Sequence, residues 1–229
     1  MKMKFGAMVT DGRGKIGGQV ASKNRSGAYL RTKVTPVNRQ SASQTIIRNR
    51  MSNLAQSWRS LTEAQRIAWN AAVGDFAKTN IFGDLVNPTG FNLYCKLNNN
   101  LIRVGATVIL VPPTPAGITD IVIGNFAVAA GAGTMSLAYT AGADANSAIE
   151  VWATPPQSAG KSFVKAEYRL VSQFISNALS PLDLAAAYVA KFGAITGSAG
   201  MKIFVKTVAV NTTTGQAGVP QATAGIVAA

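Results

Sequence analysis

The first fifty residues constrain the fold most, because they combine a high positive charge with many glycines and no long apolar face. Residues 2–50 hold eleven of the chain's twenty-two lysines and arginines but one acidic residue, Asp11. They therefore carry +10 of the formal net charge of +13. Ordering a residue costs about 1–2 kcal/mol, and such a segment buries too little apolar surface to offset that cost. We expect it to become ordered only against another subunit, nucleic acid or both.

The rest of the composition argues against catalytic chemistry. The 229 residues include no histidine, which removes the commonest general base, the commonest zinc ligand and every histidine-activated nucleophile. Nine acidic residues leave little for metal clusters, and Cys95 is the single cysteine, so no internal disulfide forms. We therefore predict that the protein is not an enzyme, uses no cofactor, and has no catalytic or metal-binding residue.

Two glycine-containing patterns resemble nucleotide-binding motifs but lack the required context. Residues 12–17 match G-x-G-x-x-G, yet the next acid is Glu63 rather than a residue about 20 positions further on. Residues 160–162 resemble the end of a P-loop, but Pro155 stands where the first glycine is needed. We interpret the early glycines as flexible backbone that fits tightly against a neighbour.

Nine basic residues are the candidate contacts with a partner. Residues 28–34 alternate well enough to form an edge strand or an arm that adds to a partner's sheet, whereas residues 11–18 are expected to be turn or irregular backbone. Phosphate groups and acidic protein patches explain the irregular basic spacing equally well. Tyr29 is the only aromatic residue between Arg25 and Arg39, which argues against a base-stacking platform. The candidates are Arg13, Lys15, Lys23, Arg25, Arg31, Lys33, Arg39, Arg48 and Arg50.

The pattern becomes helical from residue 41. Apolar residues at alternating steps of four and three predict one face of an amphipathic helix. These residues are Ile47, Met51, Leu54, Trp58 and Leu61. Trp58 and the later Trp69 are interpreted as core anchors rather than as ligand-binding residues.

Two further helices follow the first. Thr62 and Gln65 form a capping box, and Thr89 is the expected cap of a helix over residues 90–104 that ends before Gly105. The corner between the first two helices suggests helix-turn-helix DNA recognition. That motif needs a basic recognition face, however, and the second helix is roughly neutral. We therefore do not assign sequence-specific DNA binding.

Residues 118–229 predict an all-β sandwich, because short strand-like runs recur with turn residues between them. Trp152 lies on the third run, on the face opposite Val151, and a buried tryptophan there suits an immunoglobulin-like core. Ser180, followed by proline, leucine and an acid, predicts the start of a helix that ends near Phe192. The strands are predicted over residues 120–128, 134–140, 148–153, 162–174, 201–210 and 222–227.

These patterns predict an α+β, multi-domain organisation. The predicted domains are an extended basic glycine-rich arm (1–40), a three-helix docking domain (41–105), a proline-rich linker (106–117) and an immunoglobulin- or fibronectin III-like β-sandwich (118–229). No apolar run approaches the 18 residues typical of a membrane span, and the N-terminal apolar run is too short for a signal peptide. We expect no membrane contact.

Three stretches carry a resemblance to bacteriophage structural proteins. Residues 118–229, with their strand rhythm and Trp152, resemble the fibronectin type III and immunoglobulin-like modules of virion proteins. Residues 61–72 (LTEAQRIAWNAA) and the glycine-rich basic segment (GKIGGQVASKNRSGAYLRTKV) are similar to segments of phage and prophage structural proteins. The resemblance implies a capsid-associated or head–tail component and carries over no functional residue.

The first hypothesis is therefore a structural virion protein, made in the host cytoplasm. Its partners would be other virion subunits in a homo- or hetero-oligomer, with the basic arm also able to reach the phosphate backbone of packaged nucleic acid. The first alternative is a non-specific nucleic-acid-binding protein, whose affinity would fall steeply with salt. The second alternative is a tail or surface adhesin that uses the β domain.

Overall fold

The computed structural model describes residues 2–3, 12–118, 121–140, 146–175 and 180–229. It divides into two compact units, Met1–Tyr94 and Cys95–Ala229. This division falls within helix α3 (Gly90–Arg103), so the predicted linker over residues 106–117 lies inside the second unit, where it has neither helix nor strand. Helices and several antiparallel sheets occur together, which confirms the α+β class.

The first unit begins with an antiparallel sheet in the order β1-β4-β3-β2. The prediction of turn or irregular backbone over residues 11–18 is wrong for residues 14–16, which pair with β3; Asp11 lies outside the described residues. Gly17, with a φ of 55°, makes the tight turn between β2 and β3, because glycine adopts left-handed backbone without strain. The strands are β1 (Lys2–Met3), β2 (Gly14–Ile16), β3 (Gln19–Asn24) and β4 (Gly27–Thr32).

This sheet has almost no hydrophobic core. Over residues 14–32, the buried apolar side chains are Ala21 and Ala28. Backbone pairing alone leaves a hairpin only marginally stable in water. Within the segment predicted as an extended arm, residues 14–32 therefore pair locally, yet these residues lack the apolar burial that would stabilise a fold.

Two helices follow, and each begins at a capping box. Helix α1 (Ala42–Ser60) starts after Ser41, and helix α2 (Glu63–Ala71) starts after Thr62. The Thr62 backbone N–H donates to Gln65 Oε1 at 2.9 Å, and the Gln65 N–H donates to Thr62 Oγ1 at 3.3 Å. The predicted capping box is confirmed, and it fixes the corner between the helices.

Aromatic rings hold these helices together. Trp58 of α1 lies 5.7 Å from Phe91 and 5.4 Å from Tyr94, measured between ring centroids. Trp69 of α2 lies 5.3 Å from Tyr94 and is fully buried. Such ring pairs stabilise a core beyond their buried area. The interpretation of the two tryptophans as core anchors is confirmed.

A short hairpin, β5 (Lys78–Thr79) and β6 (Leu85–Val86), leads to α3. Thr89 Oγ1 accepts a hydrogen bond from the Asn92 N–H at 3.1 Å, which confirms the predicted cap. The helix ends before Gly105, whose φ of 73° is the left-handed conformation expected there.

The second unit contains two antiparallel sheets, ordered β11-β8-β7 and β10-β9-β12-β13. Five of the predicted strands are confirmed to within two residues, and residues 119–120 lie outside the described residues. The prediction for 162–174 is wrong at its start, since that strand begins at Arg169 and residues 162–168 form a loop. The strands are β7 (Val122–Ala129), β8 (Thr134–Thr140), β9 (Ser147–Ala153), β10 (Arg169–Ile175), β11 (Leu182–Asp183), β12 (Lys202–Asn211) and β13 (Gln221–Ile226).

Apolar side chains of the two sheets form one cluster. Leu137 of β8, Val151 of β9 and Val205 of β12 are fully buried within it. Trp152 follows Val151 along the strand, and so its side chain points to the opposite face of the sheet. The expectation that Trp152 contributes to an inter-sheet core is therefore wrong.

The helix predicted from Ser180 begins later than expected. Ser180 Oγ accepts a hydrogen bond from the Tyr139 N–H at 3.0 Å, and Leu182 pairs with Leu137. Pairing with β8 makes this stretch the strand β11, because burial of Leu182 outweighs the local helix signal. Helix α4 (Ala185–Phe192) follows and ends at the residue predicted.

The second half of α3 packs against the turn between β12 and β13. Asn100 Nδ2 donates to the Gly215 carbonyl oxygen at 2.8 Å. A Cβ atom added to Gly215 would lie 2.4 Å from the Leu97 carbonyl oxygen, and the φ of Gly215 is 71°. Only glycine therefore permits this close approach of helix and turn.

Candidate functional site

The nine basic residues predicted as partner contacts all lie in the first unit. Eight are exposed, and Arg50 is half-buried. Lys15 lies on β2, Lys23 on β3, Arg31 on β4, Arg48 and Arg50 on α1, and Arg13, Arg25, Lys33 and Arg39 in the segments between these elements. The sheet brings three of the nine onto neighbouring strands and leaves the others spread along the segment.

One face of the sheet carries a basic row. Val20 stands opposite Lys15 on one side and Arg31 on the other. Directly opposite residues share a face, and two strand spacings separate Lys15 from Arg31 by roughly 10 Å. Tyr29 and Ser22, which are also paired, lie two residues along on the same face. This face therefore presents two cations beside a half-buried aromatic ring.

Residues 12–62 contain ten basic residues and no acidic one. At roughly 10 Å in water, two like charges repel by about 0.4 kcal/mol, and physiological salt screens even that. The isolated chain therefore tolerates this arrangement. A surface that carries carboxylates or phosphates would be attracted to it, since many such small terms add across one face.

The start of α1 adds apolar surface to this basic region. Leu54 and Leu61 are buried, whereas Ile47 and Met51 of the same predicted stripe are 51% and 42% exposed. The neighbouring Ile46 is 57% exposed. The predicted apolar face is thus buried at its C-terminal end and exposed at its N-terminal end.

A buried ion pair in the second unit was not predicted from the sequence. Glu150 of β9 is fully buried. Its Oε1 accepts a hydrogen bond from Nε of Arg103, on α3, at 2.7 Å, and its Oε2 accepts a second one from Nη2 of the same arginine. Trp152 Nε1 donates to the same carboxylate at 3.3 Å. A paired and hydrogen-bonded geometry is what makes a buried carboxylate tolerable.

Two cations flank the Trp152 ring. Arg103 Cζ lies 5.6 Å and Lys206 Nζ 5.1 Å from its centroid, and Lys206 Nζ lies 4.9 Å from the Tyr168 centroid. Burial and the charge of Arg103 lower the pKa of Lys206, while Glu150 partly opposes them. One feature of the sequence indicated this cluster around the Trp152 ring. It was the placement of Trp152 on the face opposite Val151.

Other chemistry finds little support in the described part of the chain. There, no group of three acidic, cysteine or histidine side chains is arranged to hold a metal ion. Burial raises the pKa of the Cys95 thiol, which keeps it protonated and unreactive. Within the same residues, no helix combines the length and apolar character that crossing a membrane requires.

Comparisons with known proteins identify no relative. No family model, no curated protein and no solved structure matches the chain.

Proposed function

We propose that this chain is a structural subunit of a bacteriophage-type virion, capsid-associated or at the head–tail junction. It docks onto an acidic partner subunit through its basic sheet and the start of α1. One observation carries the proposal. Residues 12–62 combine ten basic residues and no acid with strands β2 to β4, in which, over the described residues 14–32, the buried apolar side chains are two alanines.

The shortage of apolar burial supports docking onto a protein surface. Ile46, Ile47 and Met51 are each about half exposed. Burying the remainder of each would contribute roughly 1 kcal/mol, from the area removed from water. Contact with a partner would therefore supply stabilisation that the sheet and the start of α1 do not find within these residues.

Charge complementarity indicates the partner's chemistry. Arg48 and Arg50 lie on α1 among the exposed apolar residues, and Arg48 Nη2 donates to Asn38 Oδ1 at 2.8 Å. A second copy of the same surface would bring like charges together. The partner is instead a surface with an apolar stripe bordered by aspartate or glutamate.

The second unit supports the virion proposal through its strand order. In chain order, its first, second and fifth strands share one sheet, and its third, fourth, sixth and seventh share the other. Seven-stranded immunoglobulin-like sandwiches divide their strands similarly, with the fourth strand in either sheet. We propose that residues 118–229 of this unit form a fibronectin III- or immunoglobulin-like module, as the resemblance to virion proteins implies.

A particle-incorporation experiment tests the docking role. Particles assembled from the full set of virion genes would be purified, and this chain quantified in them by mass spectrometry. We expect deletion of residues 1–40, or the double reversal Arg31→Glu and Lys33→Glu, to reduce incorporation at least tenfold, because both remove attraction to an acidic partner.

The matched control is Lys78→Glu with Lys191→Glu. These residues are also exposed, and the change in net charge is the same. We expect near-normal incorporation of this variant. Normal incorporation of the residue 1–40 deletion would exclude the basic segment as the anchor, and equal losses in both double variants would indicate a general charge effect.

The basic row on the sheet also favours the nucleic-acid alternative. It predicts binding to a random DNA fragment with an affinity that falls steeply as salt rises, because released counterions drive such binding. Absence of binding at low salt would eliminate this alternative. The second alternative, an adhesin that uses the β unit, is tested by binding to whole host cells.

A further inference from the structure

A groove of about 520 Å³ lies on the face of sheet β10-β9-β12-β13 that points away from the inter-sheet cluster. Phe204 and Lys206 of β12 form its floor, with Ala224 and Ala222 directly opposite them on β13. The loop of residues 162–168 forms its wall. This volume is within the range of small-molecule sites in proteins.

Two small side chains create the space. Ala222 and Ala224 are exposed and face the groove, so a larger residue at either position would fill it. The wall of the groove forms because residues 162–168 are a loop rather than the predicted strand. Within this loop, the Val164 side chain is buried and Tyr168 is half-buried. The groove is thus a consequence of residue size on β13 and of loop geometry before β10.

The groove is positively charged. Lys165 and Lys206 line it, and among the described residues no carboxylate does. Glu167, on the same loop, is paired with Lys161, and Glu150, on the same sheet face, is paired with Arg103. Burial lowers the pKa of Lys206 most, Arg103 lowers it further, and Glu150 opposes both. An anionic group in the groove would pair with the two ammonium groups.

The aromatic rings are poorly placed to stack on a nucleobase. Phe204 is 9% exposed, and the Lys206 ammonium lies over the Tyr168 ring. Stacking platforms for bases need open ring faces. The groove instead combines apolar surface at Ala222 and Ala224 with the Ser162 hydroxyl and two ammonium groups.

We propose that this groove binds a carboxylate-bearing saccharide unit. A pyranose ring has an apolar C–H face for Ala222 and Ala224, hydroxyl groups for Ser162, and a carboxylate that would lie between Lys165 and Lys206 through charge-assisted hydrogen bonds. The site belongs to the second unit, so it does not depend on the docking role of the first.

Methyl NMR of the full chain tests the proposal with monosaccharides. Titration with N-acetylneuraminic acid or glucuronic acid is expected to shift the signals of Val164, Ala222 and Ala224. Uncharged N-acetylglucosamine is expected to bind at least tenfold more weakly, because it lacks the carboxylate. Monosaccharides avoid the confounding attraction between a polyanion and the basic first unit.

Two kinds of variant separate shape from charge. Ala224→Leu fills the groove without changing charge and is expected to abolish the shifts at Val164 and Ala222. Lys206→Met is expected to weaken binding about tenfold, the loss of one charge-assisted hydrogen bond. Lys33→Gln, an equal charge change in the first unit, is the control and is expected to bind normally. Unchanged signals away from the groove would establish that each variant is folded.

Three outcomes would overturn the proposal. The first is an absence of shifts with both acidic sugars. The second is equal weakening by Lys33→Gln, which would indicate a general charge effect. The third is binding of inorganic phosphate or N-acetylglutamate amide as tight as that of the sugars, which would indicate a simple anion site or a site for an acidic peptide.

Discussion

The sheet of residues 14–32 and the sheets of residues 122–226 are both antiparallel, yet they are stabilised differently. In the later region, Leu137, Val151 and Val205 are among many fully buried side chains that two sheets share. In the earlier region, Ala21 and Ala28 are the buried apolar residues over 14–32. Both regions therefore contain hydrogen-bonded strands. A hydrophobic core of large side chains is found in residues 122–226 and not in residues 14–32.

This contrast separates strand pairing from stability. Net hydrogen-bond energies are small because water competes for the same groups, whereas burial of large apolar side chains contributes several kcal/mol. Residues 12–62 also concentrate positive charge, with ten basic residues and no acidic one. The difference teaches that paired strands alone do not make a stable fold, since large buried side chains stabilise the second region and are absent from residues 14–32.

The largest expected effect comes from removing a core side chain. Leu137→Ala is expected to lower the free energy of unfolding by about 2–5 kcal/mol, because Leu137 is fully buried between the sheets. Ile47→Ala, at a half-exposed position of α1, is expected to change it by less than about 0.5 kcal/mol. Urea unfolding of both variants checks this, and equal losses would contradict the contrast.

The next effect compares two glycines with left-handed backbone. Gly215→Ala is expected to lower the free energy of unfolding by about 3 kcal/mol. Left-handed backbone strain accounts for about 1–2 kcal/mol of this, and the clash between the new Cβ atom and the Leu97 carbonyl oxygen accounts for the rest. A Cβ atom added at Gly17 would meet no other atom within 4 Å. Gly17→Ala is therefore expected to leave unfolding of the second unit unchanged. Hydrogen exchange of β9 and β12 amides measures both, and similar protection in the two variants would refute the clash.

The smallest effect concerns pH. Because Lys206 has a lowered pKa in the folded protein, the unfolded chain binds more protons at pH values between that pKa and the ordinary 10.5. The free energy of unfolding therefore gains a rising contribution with pH across this window. Lys206→Met is expected to remove that contribution and to change stability at pH 7 by about 0.5 kcal/mol or less. Lys15→Met is the charge control, and loss of the same slope there would contradict the assignment.

Local signals predicted local structure well. The Thr62 capping box, the Thr89 cap and the left-handed Gly105 all appear where the sequence places them. Each of these features depends on hydrogen bonds or backbone angles within a few residues. Such signals hold where no long-range contact competes with them.

Long-range contacts were not predictable in the same way. The helix signal at Ser180 was overridden because Leu182 pairs with β8, more than forty positions earlier in the chain. Lys165, Lys206 and Ala224 line one groove but come from three separate segments. Neither spacing nor composition records such proximity, so the groove was not predictable from the sequence, whereas the nine basic candidates stay a prediction.

The pairing between β7 and Ala228 has a consequence for self-association. The Ala130 N–H donates to the Ala228 carbonyl oxygen, and the Ala228 N–H donates to that of Val128, both at 2.9 Å. These backbone groups are consequently unavailable to template an incoming strand from another molecule. Pairing of another molecule's strand with residues 128–130 would therefore first require Ala228 to dissociate from them.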